Sequence, residues 1–301
     1  MIMRTNPFFY PSEIERETGF GKEQLRKWRQ RYGFPPREST LDGQSIYSLK
    51  TVDQLHLIKR LLEAGFRPYQ VVGKTVVELE KLKFQLGLNV EGVITDELSN
   101  KLIENIKLGD LKKFVALLTE KRRTQSMFDF VQSTIAPLMI SIGDAWSRDE
   151  IDIHHEHLCT AYIERYLQSE ILKFLPKKGS PVILFALPPG EHHLLGLLMV
   201  EAVLAERGAI TINIGSHIPL NNLKLAAISC KSDVVALSFS FAYPSRDVLP
   251  TLLHFRRLLP LSIQIWAGGT GISVVRKKPK GVKMIFDLNE AVIALTEPLE
   301  L

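Results

Sequence analysis

From residue 181 to the end of the chain, short continuous apolar runs alternate with longer segments of helical periodicity. Runs of this length and apolarity are typical of strands buried on both faces, and intervening helices are the connections that parallel strands require. The runs cover residues 182–187, 209–214, 234–238, 263–267 and 282–286, and the helical segments cover residues 193–207, 219–230, 244–259 and 288–295. The alternation predicts a doubly wound parallel α/β sheet.

The loop after the first of these runs carries the strongest chemical signal. Ligands of doubly wound sheets bind at the carboxyl ends of the strands. Here the loop holds Glu191, His193 and Gly196. A carboxylate two residues before a histidine can orient the imidazole and make it more basic, as the outer partners of metal ligands do. A glycine lets a bulky ligand approach the start of the helix. The pattern predicts a ligand-binding histidine, although a lone histidine after a strand is more often structural.

Two further loops follow at characteristic separations. Gly196 is followed by 41 residues and then by Ser238 and Ser240, and another 27 residues separate Ser240 from Gly268 and Gly269. This order and spacing resembles the corrinoid-binding module of methionine synthase and the cobalamin mutases, which is a Rossmann-like domain. Two positions depart from that family, because Glu191 stands where Asp is more common and Ser240 stands where Leu is usual.

The resemblance implies a role for each residue of these loops. In that family the histidine replaces dimethylbenzimidazole as the lower axial ligand of cobalt, and the displaced nucleotide tail threads into the sheet. His193 is therefore expected to bind cobalt, with Glu191 as its partner. The residues expected to line the nucleotide tail or admit the ligand are Gly196, Ser238, Ser240, Gly268 and Gly269.

Residues 80–178 have apolar residues at helical spacing throughout. Breaks fall at 89–92, 109–110 and 146–152, so about four helices fit and a four-helix bundle is predicted. The segment from Pro176 to Pro181 is a linker that ends the bundle.

The bundle also carries a motif near its last break. Trp146 is followed, after nine residues, by Glu156 and His157. This spacing resembles the cap of the CarH/LitR-type cobalamin photoreceptors, in which these residues cover the upper cobalt face and hold the 5′-deoxyadenosyl group. In the best-known members a histidine directly follows the tryptophan and takes the open cobalt position after photolysis. Ser147 occupies that place here, and His154 and His155 are the nearby alternatives.

The two cysteines, Cys159 and Cys230, cannot make a disulfide framework, so a reducing cytoplasm is expected. Cys159 lies just after the cap motif, where it could tether a bilin by a thioether, but a buried apolar cysteine is the stronger interpretation. No apolar run reaches the roughly 18 residues of a membrane helix, and the first ten residues lack the apolar stretch of a signal peptide. We therefore expect no membrane partner.

The first quarter of the chain holds its whole basic surplus. Residues 1–77 contain 13 basic and 8 acidic residues, and the complete chain has a net charge of +5. The helix predicted from Lys22 to Arg31 has an apolar face and a basic face, which suits a recognition helix in a DNA major groove. Its basic residues are Lys22, Arg26, Lys27, Arg29 and Arg31. The alternative is a solvated basic face on a core helix.

Around this helix, which Gly33 ends, the sequence predicts a short helix capped by Ser12 and closed by Gly19, a hairpin over residues 37–47 centred on Asp42-Gly43, and a third helix from Thr51. The order of helix, basic helix, hairpin and helix resembles the MerR family of winged-helix transcription regulators. The resemblance implies binding to operator double-stranded DNA. The wing before Tyr47 lacks the basic residue that relatives usually carry there, so its phosphate contacts are fewer or come from Arg37.

Together the resemblances cover essentially the whole chain and imply a multidomain α and α/β protein. The expected parts are a winged helix-turn-helix domain (1–77), a helical-bundle cap (80–178) and a Rossmann-like cobalamin domain (181–301). The implied function is light-responsive transcriptional repression. Adenosylcobalamin is held between the bundle and the sheet, a homotetramer occupies the operator in the dark, and light breaks the Co–C bond and releases the DNA.

Two other function classes remain open at this point. The same scaffold could sense another tetrapyrrole, a bilin or heme, or report cobalamin level without light. A corrinoid carrier subunit of an enzyme is less favoured. Adenosylcobalamin mutases add a barrel of roughly 250 residues to this module, and a chain of 301 residues leaves no room for one. We therefore do not expect an enzyme.

Overall fold

The structure is a computed structural model that describes residues 8–36, 38–39, 45–63, 66–76, 78–79, 82, 97–147, 150–240 and 243–298. Contacts divide the chain into two compact units, residues 1–83 and residues 84–301. In the described part of the chain, no helix is both long and apolar enough to cross a membrane.

The first unit combines short helices with a small antiparallel sheet. Its elements are β1 (Phe8–Phe9), α1 (Pro11–Thr18), α2 (Lys22–Tyr32), β2 (Glu38–Ser39), β3 (Ser45–Ser48), α3 (Leu49–Glu63) and α4 (Pro68–Val71). The strand order is β1-β3-β2, with Glu38 opposite Ile46. This pairing is that of the predicted wing, while its turn (Asp42-Gly43) and Arg37 lie outside the described residues.

The helix ends of this unit follow the backbone chemistry of proline and glycine. The prediction that Ser12 caps α1 was wrong. The N-cap is Tyr10, whose N–H donates to Glu13 Oε2 at 2.9 Å. Pro11 lacks an N–H and has a helix-like φ, so it fits the first helical position and the helix starts earlier. Gly19 and Gly33 end α1 and α2 in the left-handed conformation, as predicted.

The second unit begins with the predicted four-helix bundle, which is confirmed. Its elements are α5 (Glu97–Lys107), α6 (Leu111–Arg123), α7 (Met127–Phe130), a π-helical segment (Val131–Ile135), α8 (Ala136–Ser147) and α9 (Ile153–Ile171). The π segment joins α7 and α8 into one long helix. Ser126 caps α7 by accepting from Asp129 N–H, and the sequence interpretation missed this break.

The rest of the second unit is the predicted parallel sheet, and the doubly wound α/β fold is confirmed. Its elements are β4 (Val182–Ala186), α10 (Leu195–Glu206), β5 (Ile210–Asn213), α11 (Leu220–Ser229), β6 (Val234–Ser238), α12 (Ser245–Leu258), β7 (Gln264–Gly268), a 3₁₀ turn (Thr270–Val274), β8 (Val282–Ile285) and α13 (Leu288–Thr296). The strand order is β5-β4-β6-β7-β8, all parallel. Helices α10 and α13 pack on one face of the sheet, and α11 and α12 pack on the other.

The bundle and the sheet lie in one compact unit. Helix α9 packs along α10, and residues of both helices share one apolar core. At the end of α10, Glu206 Oε1 accepts from the Arg122 guanidinium at 2.6 Å, and its Oε2 accepts from Met127 N–H at 2.8 Å. The start of α7 is thereby fixed against the sheet layer.

Candidate functional site

The topology of the sheet creates a crevice between β4 and β6. These strands are neighbours, but the chain leaves β4 toward β5 on one side and reaches β6 on the other. Loops diverge at such a switch point and leave room for a ligand at the carboxyl ends of the strands. Glu191 and His193 follow β4, and Ser240 follows β6, so the crevice brings together residues that are distant in sequence.

Glu191 organises this crevice. Its side chain is 1% exposed. Oε1 accepts from the N–H groups of His192 and His193 at 2.8 and 2.9 Å, and Oε2 accepts from Ser240 N–H at 2.7 Å. Burial by itself would raise the pKa of Glu191, but the hydrogen bonds from His193 and Ser240 outweigh it and lower the pKa to about 2. Glu191 is therefore an ionised, fully engaged carboxylate at neutral pH.

His193 is oriented by that carboxylate. Its Nδ1 lies 2.7 Å from Glu191 Oε1 and 3.0 Å from Ser240 Oγ. An ionised carboxylate only accepts hydrogen bonds, so Nδ1 carries the proton and Nε2 presents its lone pair. The side chain is 61% exposed and lines the main cavity of the unit. This is the arrangement in which a histidine binds a metal through Nε2 while its other nitrogen is held by a carboxylate.

The cavity has a volume of about 360 Å³ and lies over the carboxyl edge of the sheet. Its walls come mainly from α10, the ends of β6, β7 and β8, and the start of α13, and they are mostly apolar. The predicted residues that line it together are His193, Gly196, Ser238, Ser240, Gly268 and Gly269. On the bundle side it is lined by Val131 and Gln132 of the π segment and by Ala136. The sequence interpretation missed this contribution, since a π segment has no sequence signature in this chain.

Close backbone approach requires glycine at positions 269 and 271, whereas a Cβ at position 268 would make an ordinary van der Waals contact. Gly269 has φ +88°, and a Cβ there would lie 2.3 Å from the carbonyl oxygen of Phe239. A Cβ on Gly268 would lie 3.4 Å from Ile285 O. Gly271, which the sequence interpretation missed, would place a Cβ 2.4 Å from Ser240 O. The third glycine of the run Gly268-Gly269-Thr270-Gly271 was the available signal.

The predicted cap residues lie on the bundle. Trp146 is half-buried against the bundle core. Glu156 and His157 lie in the first turn of α9, where Glu156 Oε2 is 3.2 Å from His157 Nδ1 and Thr160 donates to Glu156 Oε1 at 3.2 Å. Among the described residues, none of these three lines the cavity of His193. Their role as a cap stays a prediction, and the side chain of Ser147 lies outside what the structure describes.

The remaining residues near the cap are placed as follows. The rings of His154 and His155 have centres 3.8 Å apart, and His155 Nδ1 accepts from Asp152 N–H at 3.1 Å. Cys159 is 1% exposed in the bundle core, and burial raises the pKa of its thiol. A thiol that is buried and protonated is a poor nucleophile, which favours the interpretation of Cys159 as a buried apolar cysteine over the thioether alternative.

Helix α2 forms the candidate nucleic-acid surface of the first unit. Leu25 and Trp28 are buried, and Trp28 packs edge-on against Phe20 at 4.7 Å. On the opposite side lie the exposed basic residues Lys22, Arg26, Lys27 and Arg31. Arg26 pairs with Glu23 at 3.0 Å, but both side chains remain largely exposed, so the pair is worth little energy.

Arg29 occupies a different environment from the other basic residues of α2. Its Nε donates to Pro35 O at 3.0 Å, and its terminal nitrogen donates to the Tyr47 hydroxyl at 2.8 Å. The guanidinium also lies over the Tyr47 ring, 5.9 Å from its centre. These contacts join α2 to strand β3, so the structure places Arg29 where it positions the wing.

A groove of about 1110 Å³ extends the basic surface of α2. Lys27 and Arg31 line it from α2, and Arg67 and Tyr69 line it from the start of α4. Tyr69 is 70% exposed. The sequence interpretation missed Arg67 and Tyr69, although an isolated Arg-Pro-Tyr after an apolar helix was a possible signal of an exposed basic turn.

Two family models match the chain. One, described as the MerR HTH family regulatory protein, matches residues 10–72. The other, described as a B12 binding domain, matches residues 98–168. The first match covers the helices, β2 and β3 of the first unit, and the second covers the helical bundle.

Curated relatives include two transcriptional repressors of helix-turn-helix type from Myxococcus xanthus. CarA is 26% identical over 235 residues, which cover 75% of this chain and 74% of CarA. CarH is 24% identical over 263 residues, which cover 83% of this chain and 85% of CarH. Among solved structures, the monomethylamine corrinoid protein of Methanosarcina barkeri is 18% identical with a TM-score of 0.47, and covers 66% of this chain and 97% of its own.

The residues of the crevice fit a corrinoid. His193, whose Nδ1 is held by Glu191, lines a mostly apolar cavity, and Gly269 lines it where the neighbouring backbone lies too close for a Cβ. The family models place a DNA-binding domain first, at residues 10–72, and a B12 binding domain after it, at residues 98–168. The chain joins a MerR-type helix-turn-helix domain to a B12 binding domain and is similar over most of its length to the CarA and CarH repressors, so it is a cobalamin-binding transcription regulator.

Proposed function

We propose that this regulator is a light-responsive repressor that uses adenosylcobalamin as its chromophore. The observation that carries the proposal is the position of His193, which lines the cavity while its Nδ1 is held by Glu191. Similarity to repressors over most of the chain supports the direction of regulation.

The lower face of the ligand would be held by the sheet. His193 Nε2 binds cobalt, and Glu191 keeps the imidazole in the correct tautomer. The cavity receives the nucleotide tail along Ser238, Gly268 and Gly269. When bound, adenosylcobalamin supplies a cobalt–carbon bond that visible light breaks.

The upper face would be covered by the bundle. The Trp146 indole is flat and apolar, which suits contact with an adenosyl group, while Glu156 and His157 can hydrogen-bond to a ribose and an adenine. The bundle belongs to one compact unit with the sheet. The Glu206 carboxylate of α10 accepts hydrogen bonds from the Arg122 guanidinium and from the Met127 N–H at the start of α7. A rearrangement of the cap on loss of the upper ligand therefore acts on the packing between bundle and sheet.

DNA occupancy would depend on assembly. The exposed basic face of one α2 offers only a few phosphate contacts, and affinity from so few contacts is weak and salt-sensitive. A homotetramer presents several such faces to one operator, and linked binding events raise the overall affinity without new contacts. Loss of the assembly in light then releases the operator.

The test combines one spectrum with one DNA-binding measurement. The purified chain is loaded with adenosylcobalamin and examined before and after green light, with operator retention followed in parallel. The expected result is a cobalamin spectrum that changes with light together with loss of DNA retention. Retention that is equal in dark and light would refute the light response, and a failure to bind cobalamin at all would refute adenosylcobalamin as the chromophore.

Two variants sharpen this test. His193→Ala removes the proposed cobalt ligand and is expected to shift the bound spectrum and weaken binding. His254→Ala removes an exposed histidine of α12 outside the cavity and serves as its matched control. An unchanged spectrum and affinity in His193→Ala would move the ligand elsewhere.

A further inference from the structure

Two histidines at the carboxyl edge of the sheet are left unused by the proposed function. His192 follows β4 and His217 follows β5, and these strands are neighbours. Their ring centres are 4.8 Å apart, and the ring planes are inclined by 43°. Both side chains are exposed, and within the described part of the chain neither lines the cavity of His193. The pair is therefore a separate feature beside the crevice.

The two residues are held in place independently. The N–H of His192 donates to the buried Glu191 carboxylate at 2.8 Å. His217 has φ +65°, a left-handed conformation that is uncommon for residues other than glycine. It persists because the loop before it is fixed, since Gly215 N–H donates to Asn213 Oδ1 at 2.9 Å and Asn213 Nδ2 donates to the buried Glu201 carboxylate. Strained residues held in this way are concentrated at functional sites.

The distance between the ring centres is compatible with two imidazoles on one ion. A metal–nitrogen bond of about 2.0–2.1 Å, plus about 1.1 Å from the nitrogen to the ring centre, places an ion about 3.2 Å from each centre. Ring centres 4.8 Å apart then subtend about 100° at the ion, between the roughly 90° of octahedral and the roughly 109° of tetrahedral coordination.

We propose that His192 and His217 form a binding site for a divalent transition-metal ion such as Zn²⁺ or Cu²⁺, with water in the remaining positions. Imidazole is a preferred ligand of these ions. A bound ion ties the loop after β4 to the loop after β5.

Another cluster of possible metal ligands, Asp152, His154 and His155, fits an ion less well. Its ring centres are only 3.8 Å apart, which corresponds to about 70° at an ion placed by the same bond lengths. His155 Nδ1 already accepts from Asp152 N–H. The cluster also lies at the start of α9, where the helix dipole disfavours a cation.

The experiment uses the full-length chain, freed of metal by chelation and without cobalamin. Zn²⁺ binding is followed by calorimetry and by the rise in melting temperature. Cu²⁺ binding is followed by electron paramagnetic resonance, which counts the coordinated nitrogens. We expect one ion per chain with two imidazole nitrogens, and a melting temperature that rises with Zn²⁺ because the ion binds only the folded state.

The variants assign the site. His192→Ala and His217→Asn should each weaken binding by about 100-fold, because one tethered ligand is lost. Asn tolerates the left-handed backbone of residue 217, so this variant keeps the loop fold while removing the imidazole. His254→Ala and the double variant His154→Ala/His155→Ala should bind as the wild type does. Wild-type affinity in His217→Asn, loss of binding in His193→Ala alone, or no binding of either ion overturns the proposal.

Discussion

His193 Nδ1 lies 2.7 Å from Oε1 of Glu191, and the same carboxylate reaches across the crevice to the backbone N–H of Ser240. One buried anion therefore fixes the imidazole and holds the loops after β4 and β6 together. We expect Glu191→Gln to weaken cobalamin binding by about 10- to 100-fold, as loss of an outer partner of a metal ligand commonly does. Spectral titration of the metal-free chain measures this, with Glu104→Gln, an exposed carboxylate of α5, as the control.

The Glu191 carboxylate makes the free energy of unfolding depend on pH. The folded pKa of Glu191 is lowered from 4.5 to about 2. The unfolded chain therefore binds more protons in this range, so the stability from Glu191 is present above about pH 4.5 and is lost as pH falls toward 2. The full effect is about 3 kcal/mol. Chemical denaturation at several pH values should give a shallower acid dependence for Glu191→Gln, and parallel curves would contradict the account.

Arg29 and Arg31 should behave differently although both lie on the basic helix. Arg29→Lys loses the bonds to Pro35 O and the Tyr47 hydroxyl, so it should destabilise the first unit and lower DNA affinity with little change in salt dependence. Arg31→Ala should reduce the salt slope by about one phosphate contact. Adding Tyr47→Phe to Arg29→Lys should cause little further loss. A reduced salt slope in Arg29→Lys would instead make Arg29 a DNA contact.

Trp146 should distinguish the upper ligand. We expect Trp146→Ala to reduce assembly driven by adenosylcobalamin, because the flat apolar cover of the adenosyl group is lost. Leu172→Ala, which truncates an exposed residue just after α9, is the control. Light scattering after gel filtration reports the oligomer. Wild-type chain that assembles equally well with methylcobalamin would rule out the cap assignment.

Ser147 should make the illuminated state short-lived. A serine hydroxyl is a poorer donor to cobalt than the imidazole found there in the best-known relatives. After illumination the wild type should lose its cobalamin more readily than Ser147→His, measured as cobalt retained through gel filtration. His154→Ala and His155→Ala test the nearby alternatives. The prediction would be contradicted if the wild type retained as much cobalt as Ser147→His and if His154→Ala and His155→Ala each retained as much cobalt as the wild type.

Gly269 should tolerate no side chain. Gly269→Ala adds a Cβ at 2.3 Å from Phe239 O in a left-handed conformation, so the loops after β6 and β7 must separate. The combination of positive φ and extended ψ at Gly269 is essentially restricted to glycine, and such backbone strain by itself costs about 1–3 kcal/mol. Gly179→Ala is the matched control, because Gly179 has φ +82° but no atom within 4 Å of an added Cβ. We expect Gly269→Ala to lose more unfolding free energy than the control, and equal losses would refute the steric account.

Much of the fold was predictable because it rests on local periodicity. The apolar run over 234–238 coincides with β6, and the other four strands of the parallel sheet begin and end within one residue of their predicted bounds. Gly19 and Gly33 end their helices where the sequence places them, since a left-handed C-cap strongly favours glycine. The sequence analysis missed Tyr10 as the N-cap of α1 because Ser12 and Pro11 both suit the start of a helix. Only the hydrogen bond from Tyr10 N–H to Glu13 Oε2 decides between the two starts.

The candidate site also combines residues that the sequence predicts with contacts that it does not predict. The sequence by itself determined which residues follow each strand, because chain connectivity carries Glu191, His193, Ser240 and Gly269 to one edge of a parallel sheet. Only the tertiary structure decided the rest. Arg29 turns from the basic face to Tyr47, the π segment reaches the cavity, and His192 meets His217. These contacts join segments far apart in sequence, and the packing that sets their distances leaves no periodic trace in either segment.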